Sequence, residues 1–145
     1  MNFNPIIQVP FGVRAEVQRP IPEFYATVGE DGIRKLVAEH YELLKVSSIK
    51  ELFPVDDEVE FAKAKKHAAD FFIQFLGGPR YFEQSRGAPQ MVGRHNPFKI
   101  TGKSRIVWLS LYLELLKDME AEPKAVESYW NYLNSFSTWM VNTPE

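Results

Sequence analysis

Gly93-Arg94-His95-Asn96-Pro97-Phe98 sets one histidine in a turn shaped by glycine and proline, and the fold assignment turns on it. Its neighbours stand at defined intervals. Gly77-Gly78-Pro79 begins 18 residues before His95, and Trp108 follows it by 13. The region around it, Arg80 to Thr101, is dense in glycine and proline, so it reads as loop with one helical turn near Met91 to His95. Loops of this kind carry chemistry more often than the elements they connect.

Outward from that turn the chain is helical. On the N-terminal side, Phe61, Ala64, Ala68, Phe71, Phe72 and Phe75 form an apolar stripe at helical spacing that Gly77-Gly78-Pro79 stops. Before it, Ile33, Leu36, Val37, His40, Tyr41 and Leu44 recur at the same period from Gly32 onward, with Glu39, Glu42 and Lys45 on the other side. On the C-terminal side, Ser104 to Met119 and Lys124 to Val141 read as two long helices, the second turning Val126, Tyr129, Trp130, Leu133, Phe136 and Met140 inward. Met1 to Pro22 holds four of the ten prolines and no sustained period, and reads as an extended arm. No alternating strand pattern competes, so the expectation is an all-α protein of four main helices and shorter pieces.

Composition narrows the partners. At 145 residues and 45% hydrophobic, the chain has the material for one domain with a sizeable core. A formal charge of −2 supplies no broad basic surface, which argues against nucleic acid or an anionic membrane as a partner. The absence of cysteine excludes disulfides, thiolate nucleophiles and cysteine-ligated metals, and is compatible with a reducing cytoplasm. Met1 to Arg14 has neither a basic opening nor an unbroken apolar run, and no segment approaches the roughly 20 apolar residues that cross a bilayer. A soluble, cytoplasmic protein is expected. Eleven phenylalanines within a 14% aromatic content either pack an ordinary core or enclose something flat.

The order of landmarks resembles that of the group II truncated haemoglobins: Tyr41, Leu52-Phe53-Pro54, Phe75-Leu76-Gly77-Gly78-Pro79, Tyr81, Arg94-His95-Asn96-Pro97-Phe98, Trp108-Leu109 and Met140-Val141-Asn142. The joint spacing of the Arg-His-x-Pro-Phe block and the later tryptophan is the specific part. The resemblance covers about Phe24 to Thr143 and implies a globin-like two-on-two sandwich of helices around one b-type haem, as a domain over 24–145 behind an N-terminal extension over 1–23. It implies that His95 ligates the iron, with its second nitrogen donating to a backbone carbonyl. It further implies that Arg94 pairs with a propionate, that Phe53 and Phe98 wall the haem, and that Tyr81 and Met91 belong to the same cofactor site.

On the distal side the resemblance brings Tyr41 and Trp108 over the ligand as hydrogen-bond donors; without it, both read as core residues with buried polar tips. Ala64 and Ala68 fall over the iron when counted back from Gly77. The segment from Phe53 to Gly77 is about three residues longer than is usual in the family, so His67 falls either at the rim beside a propionate or, with a shifted helix, at the iron as a sixth ligand. His40 reads as a packing or network residue. The family's paired glycine is reduced to Gly29 and Gly32.

The implied ligand is dioxygen, nitric oxide or another diatomic. Carriage, scavenging, nitric oxide dioxygenation, peroxidase-like turnover and sensing all start from this pocket, and turnover calls for a separate reductase. A haem-free helical interaction module is the other class. Monomer and homodimer are both compatible with the sequence.

Overall fold

The computed structural model describes all 145 residues. Six α-helices form the body: α1 (Pro22–Lys45), α2 (Glu58–Phe75), α3 (Tyr81–Arg86), α4 (Met91–His95), α5 (Gly102–Leu116) and α6 (Pro123–Phe136). Two 3₁₀ turns, Lys50–Leu52 and Ser137–Trp139, complete the order, and there is no strand. α1 packs on α2, α5 on α6, and α1 also touches α5 and α6, so the helices stack as two pairs around one core.

The starts and stops follow from local chemistry. Pro22 takes the first-turn position of α1, where its missing N–H costs nothing. Inside α1, Gly29 takes φ 71°, a left-handed conformation open to glycine, and breaks the helix. The periodicity is therefore continuous only from about Gly32, which is why the sequence reading begins that helix ten residues late. Asp57 caps α2 by accepting from the amides of Val59 and Glu60. Gly77 at φ 101° ends α2, and Gly78 donates back to the Ile73 carbonyl at 2.8 Å. A Cβ on Gly78 would run into the Tyr25 hydroxyl and Ile73. Thr101 and Ser104 form a reciprocal capping box at the start of α5.

The span from Arg80 to Thr101 contains two short helices, α3 and α4, where one helical turn was expected. The last long helix ends at Phe136 and tightens into the 3₁₀ turn Ser137–Trp139 in place of running on to Val141. The core between the pairs is aromatic. Phe24 stacks on Tyr129 with ring centroids 4.4 Å apart, and Phe75 on Tyr132 at the same separation. Buried Asp70 ties α2 to α1 through Arg34 at 2.9 Å and is also bonded by Lys66 at 2.7 Å. Burial alone would raise its carboxyl pKa, but these two cations outweigh that and hold it below the ordinary value.

Residues 2–21 contain no helix and lie against α6. The amides of Ile7, Gln18 and Ile21 donate to the side chains of Asn134, Ser135 and Ser128 on that helix. In return, the Trp130 indole donates to the Asn4 carbonyl and the Trp139 indole to the Ala15 carbonyl, both at 2.8 Å. Arg105, 6% exposed and without a carboxylate partner, joins the arm to the body: it donates to the carbonyls of Ile7 and Asn134, both at 2.6 Å, and to the Ser137 hydroxyl at 2.8 Å. Burial lowers its pKa to about 10, so the guanidinium stays charged at neutral pH.

Candidate functional site

All six helices contribute to one cavity of about 340 Å³. Eighteen of its 27 lining residues are hydrophobic and none is acidic, so the space suits an apolar body with anionic edges. The cations on its wall include Arg86, Arg94 and Arg105.

Ten of the eleven site residues inferred from the sequence meet here: Tyr41, Phe53, Ala64, His67, Ala68, Met91, Arg94, His95, Phe98 and Trp108. Tyr81 does not. It opens α3 and faces α1, where its hydroxyl donates to Glu30 at 3.0 Å and the Arg34 guanidinium lies over its ring. The next residue, Phe82, 2% exposed, takes the cavity wall instead. One residue of register separates the expectation from the observation.

His95 ends α4. Its Nδ1 lies 2.6 Å from the Met91 carbonyl, and because a carbonyl only accepts, Nδ1 carries the proton. In the neutral form of the ring the lone pair then lies on Nε2, for which the protein supplies no hydrogen-bond partner. That is the donor state a metal-ligating imidazole needs, with tautomer and ring direction set by the second nitrogen.

α4 has only five residues and does not hold itself. Gly87 before it adopts φ 79°, ψ −155°, a region closed to side chains, and Gln90 enters it at φ 43°. Arg94 then fastens the loop: Nε donates to the Pro89 carbonyl at 2.6 Å, and Nη2 to the carbonyls of Arg86 and Ala88 at 2.7 and 2.9 Å. Its guanidinium lies over Phe82, 5.0 Å from the ring centroid. Nη1 has no protein partner and is what remains for an anionic edge.

On the opposite side, Tyr41 packs edge-on against Phe53 and Phe61. Neither its hydroxyl nor the Trp108 indole N–H donates to a protein acceptor. Burial pushes the Tyr41 pKa up to about 12, so it remains a protonated donor. Behind the pair, His40 is fully buried, stacked on Tyr112 at 3.6 Å, with Nε2–H donating to the Trp108 carbonyl at 3.0 Å. Burial lowers its pKa to about 3, although that hydrogen bond acts the other way, and it is neutral. His40 thus serves as packing beneath the two donors.

The cavity-facing stripe of α2 is Ala64, His67, Ala68 and Phe71, at i, i+3, i+4 and i+7. The small pair leaves room between Tyr41 and Trp108. His67 meets Phe82 edge-on, and desolvation, followed by the charges of Arg86, Lys66 and Arg94, lowers its pKa; Asp70 opposes this. Among the lining residues that sequence reasoning missed, Arg105 stands one turn before Trp108 on the same face of α5, a spacing that could have revealed it. Phe82 and Arg86 gave no such signal, since α3 is too short to show a period.

A helical sandwich enclosing an apolar cavity, with one imidazole nitrogen free on one wall and two free donors on another, defines a globin-type site. Residues 23–142 match the family model for bacterial-like globins, and the chain belongs to that family. It is 32% identical over 124 residues to group 2 truncated hemoglobin YjbI of Bacillus subtilis, covering 83% of this chain and 89% of that one. The crystal structure of phosphate-bound Hell's gate globin IV superposes with TM-score 0.86 at 35% identity, over 98% of this chain and 89% of the other. The group II truncated hemoglobin of Bacillus anthracis superposes with TM-score 0.77 at 29% identity, over 88% and 95%. The fold is the two-on-two globin sandwich. Because 98% of 145 residues leaves about three unmatched, the arm along α6 has a counterpart in the Hell's gate structure.

Proposed function

We propose that this protein binds haem b in the cavity and takes up dioxygen or another diatomic ligand beneath Tyr41 and Trp108. One observation carries the reading: the bond from His95 Nδ1 to the Met91 carbonyl commits that nitrogen to the backbone and leaves Nε2 without a protein partner, on a residue that lines the apolar cavity. Family membership implies the cofactor, and the lining suits it. Phe53, Phe71, Phe82 and Phe98 supply aromatic walls, while Arg86, Arg94 Nη1 and His67 supply positive or polar groups for two propionates where no acid competes.

Haem supplies the centre that coordinates a diatomic ligand and exchanges electrons with it. The residues of the chain do the rest. His95 would hold the cofactor from one side through Nε2. Tyr41 and Trp108 aim a hydroxyl and an indole N–H at the other side, where a ligand that gathers negative charge is stabilised most by donors set in place beforehand in a dry pocket. Ala64 and Ala68 leave the space, and His67 serves the rim. Converting dioxygen and nitric oxide to nitrate consumes one further electron, which a reductase outside this chain would deliver.

The test is spectroscopic. The protein purified with supplied haem shows a strong Soret band. His95→Gly loses or displaces it, and added imidazole restores it. A parent protein that takes up no haem, or a His95→Gly spectrum identical to the parent's, overturns the reading.

A further inference from the structure

We infer that Asn142 is the positioning residue for His95, holding the proximal segment in place from the strand of chain that follows the last 3₁₀ turn; this rests on the haem reading above. Asn142 lies 47 residues from His95 in sequence. Its side-chain amide donates to the His95 carbonyl at 3.2 Å and to the Phe98 carbonyl at 2.8 Å. Its Oδ1 accepts from the Ile100 amide at 3.0 Å and from the Thr143 hydroxyl at 2.8 Å, and its backbone N–H donates to the Ile100 carbonyl at 3.0 Å.

Every donor and acceptor of this side chain is used, so its orientation is unambiguous. A flipped amide would set oxygen against two carbonyls and NH₂ against the Ile100 N–H.

The position of these bonds gives them their role. Helix α4 is too short to hold itself, and a helix leaves its last carbonyls without intrahelical partners. His95 is its last residue. The bonds of Arg94 run only to residues 86–89, and the His95 ring is bonded only to Met91. For residues 91–99, the two bonds from Asn142 are the only ones reaching outside 86–100. Arg94 thus shapes the segment internally, and Asn142 fixes where the shaped segment sits relative to the body of the protein. Met140 and Ile100, which flank this tie, both line the cavity. A shift of the His95 backbone carries Nε2 with it, so Asn142 sets the distance and tilt at which the imidazole meets its ligand.

The substitution Asn142→Asp keeps the shape and the Oδ1 acceptor while removing both donors; Asn142→Ala removes everything. In the haem-loaded protein, both variants are expected to shift the iron–histidine stretching band of the ferrous, gas-free form. Haem transfer to a scavenging apoglobin should become about tenfold faster, the change that two lost hydrogen bonds produce. Amide exchange of the full chain as purified should quicken at Asn96 and Phe98. A purely structural role would lower thermal stability without moving the band. An unmoved band together with an unchanged transfer rate in both variants overturns the assignment. A parent that takes up no haem overturns the haem reading instead, and the exchange at Asn96 and Phe98 then decides for or against the tie.

Discussion

The two walls of the cavity are built on different principles. The distal wall is carried by long helices: Tyr41 sits on the unbroken part of α1 beyond Gly29, Ala64 and Ala68 on a helix of 18 residues, and Trp108 on one of 15. Its side chains are placed by packing, with fully buried His40 and Tyr112 stacked behind the donors. The proximal wall hangs on helices of six and five residues joined through Gly87 and Gln90, and is held by side chains reaching backbone carbonyls. One wall is rigid because its core is dense; the other because its hydrogen bonds are complete. Substitution on the distal wall should change ligand affinity and leave cofactor retention alone, and substitution on the proximal wall should do the reverse.

The largest effect on ligand binding lies with the proposed distal donors. Tyr41→Phe or Trp108→Phe should each raise the dioxygen dissociation rate by about tenfold or more, since a hydrogen bond to a charged acceptor contributes roughly 1.5–3 kcal/mol. Stopped-flow release measures this, and equal release from the parent and both variants would remove the two residues from the ligand's surroundings.

His40 tests the packing behind them. Its folded-state pKa is depressed, so its contribution is complete above the unfolded value of 6.5 and is lost as pH falls from there towards about 3, because only the unfolded state gains the proton. The parent should therefore lose about 1.4 kcal/mol per pH unit across that window from this residue alone. In His40→Phe, which retains the stack on Tyr112, the fall between pH 6 and 4 should be shallower by that slope. Parallel denaturation curves for parent and variant would show that His40 is not the group concerned.

A smaller effect comes from the proximal side. Gly87→Ala forces a side chain into φ 79°, ψ −155°, at a cost of about 1–3 kcal/mol. Melting should fall and haem loss should quicken, with dioxygen release unchanged. A variant that altered release as much as Trp108→Phe would erase the distinction between the walls.

The same contrast accounts for what could be read from the chain. The stripes of α1, α2 and α6 and the long helical run of α5 were legible because each spans several turns, and the landmark spacing was specific enough to bring ten site residues to one cavity. α3 and α4 were not, since five or six residues cannot display a period and their ends depend on backbone angles at Gly87 and Gln90. That ambiguity exchanged Tyr81 for Phe82. The loop-fastening bonds of Arg94 were hidden for another reason: a carbonyl acceptor is present at every residue and leaves no mark in the sequence. The prolines of the arm announced extended chain, but its seating depended on Ser128, Asn134 and Ser135 of α6 and on Thr138 in the 3₁₀ turn after it, whose polarity reads equally well as a solvated face.

The arm has a kinetic consequence. The bonds of residues 2–21 to Arg105, Trp130, Asn134 and Trp139 span 98 to 129 positions. Contacts at such separations close late, because the entropy of joining distant parts of the chain must be met before the bonds exist. The arm is therefore among the last segments to settle, and refolding should end in a slow phase, reported by Trp130 and Trp139 fluorescence, after the helices have already formed.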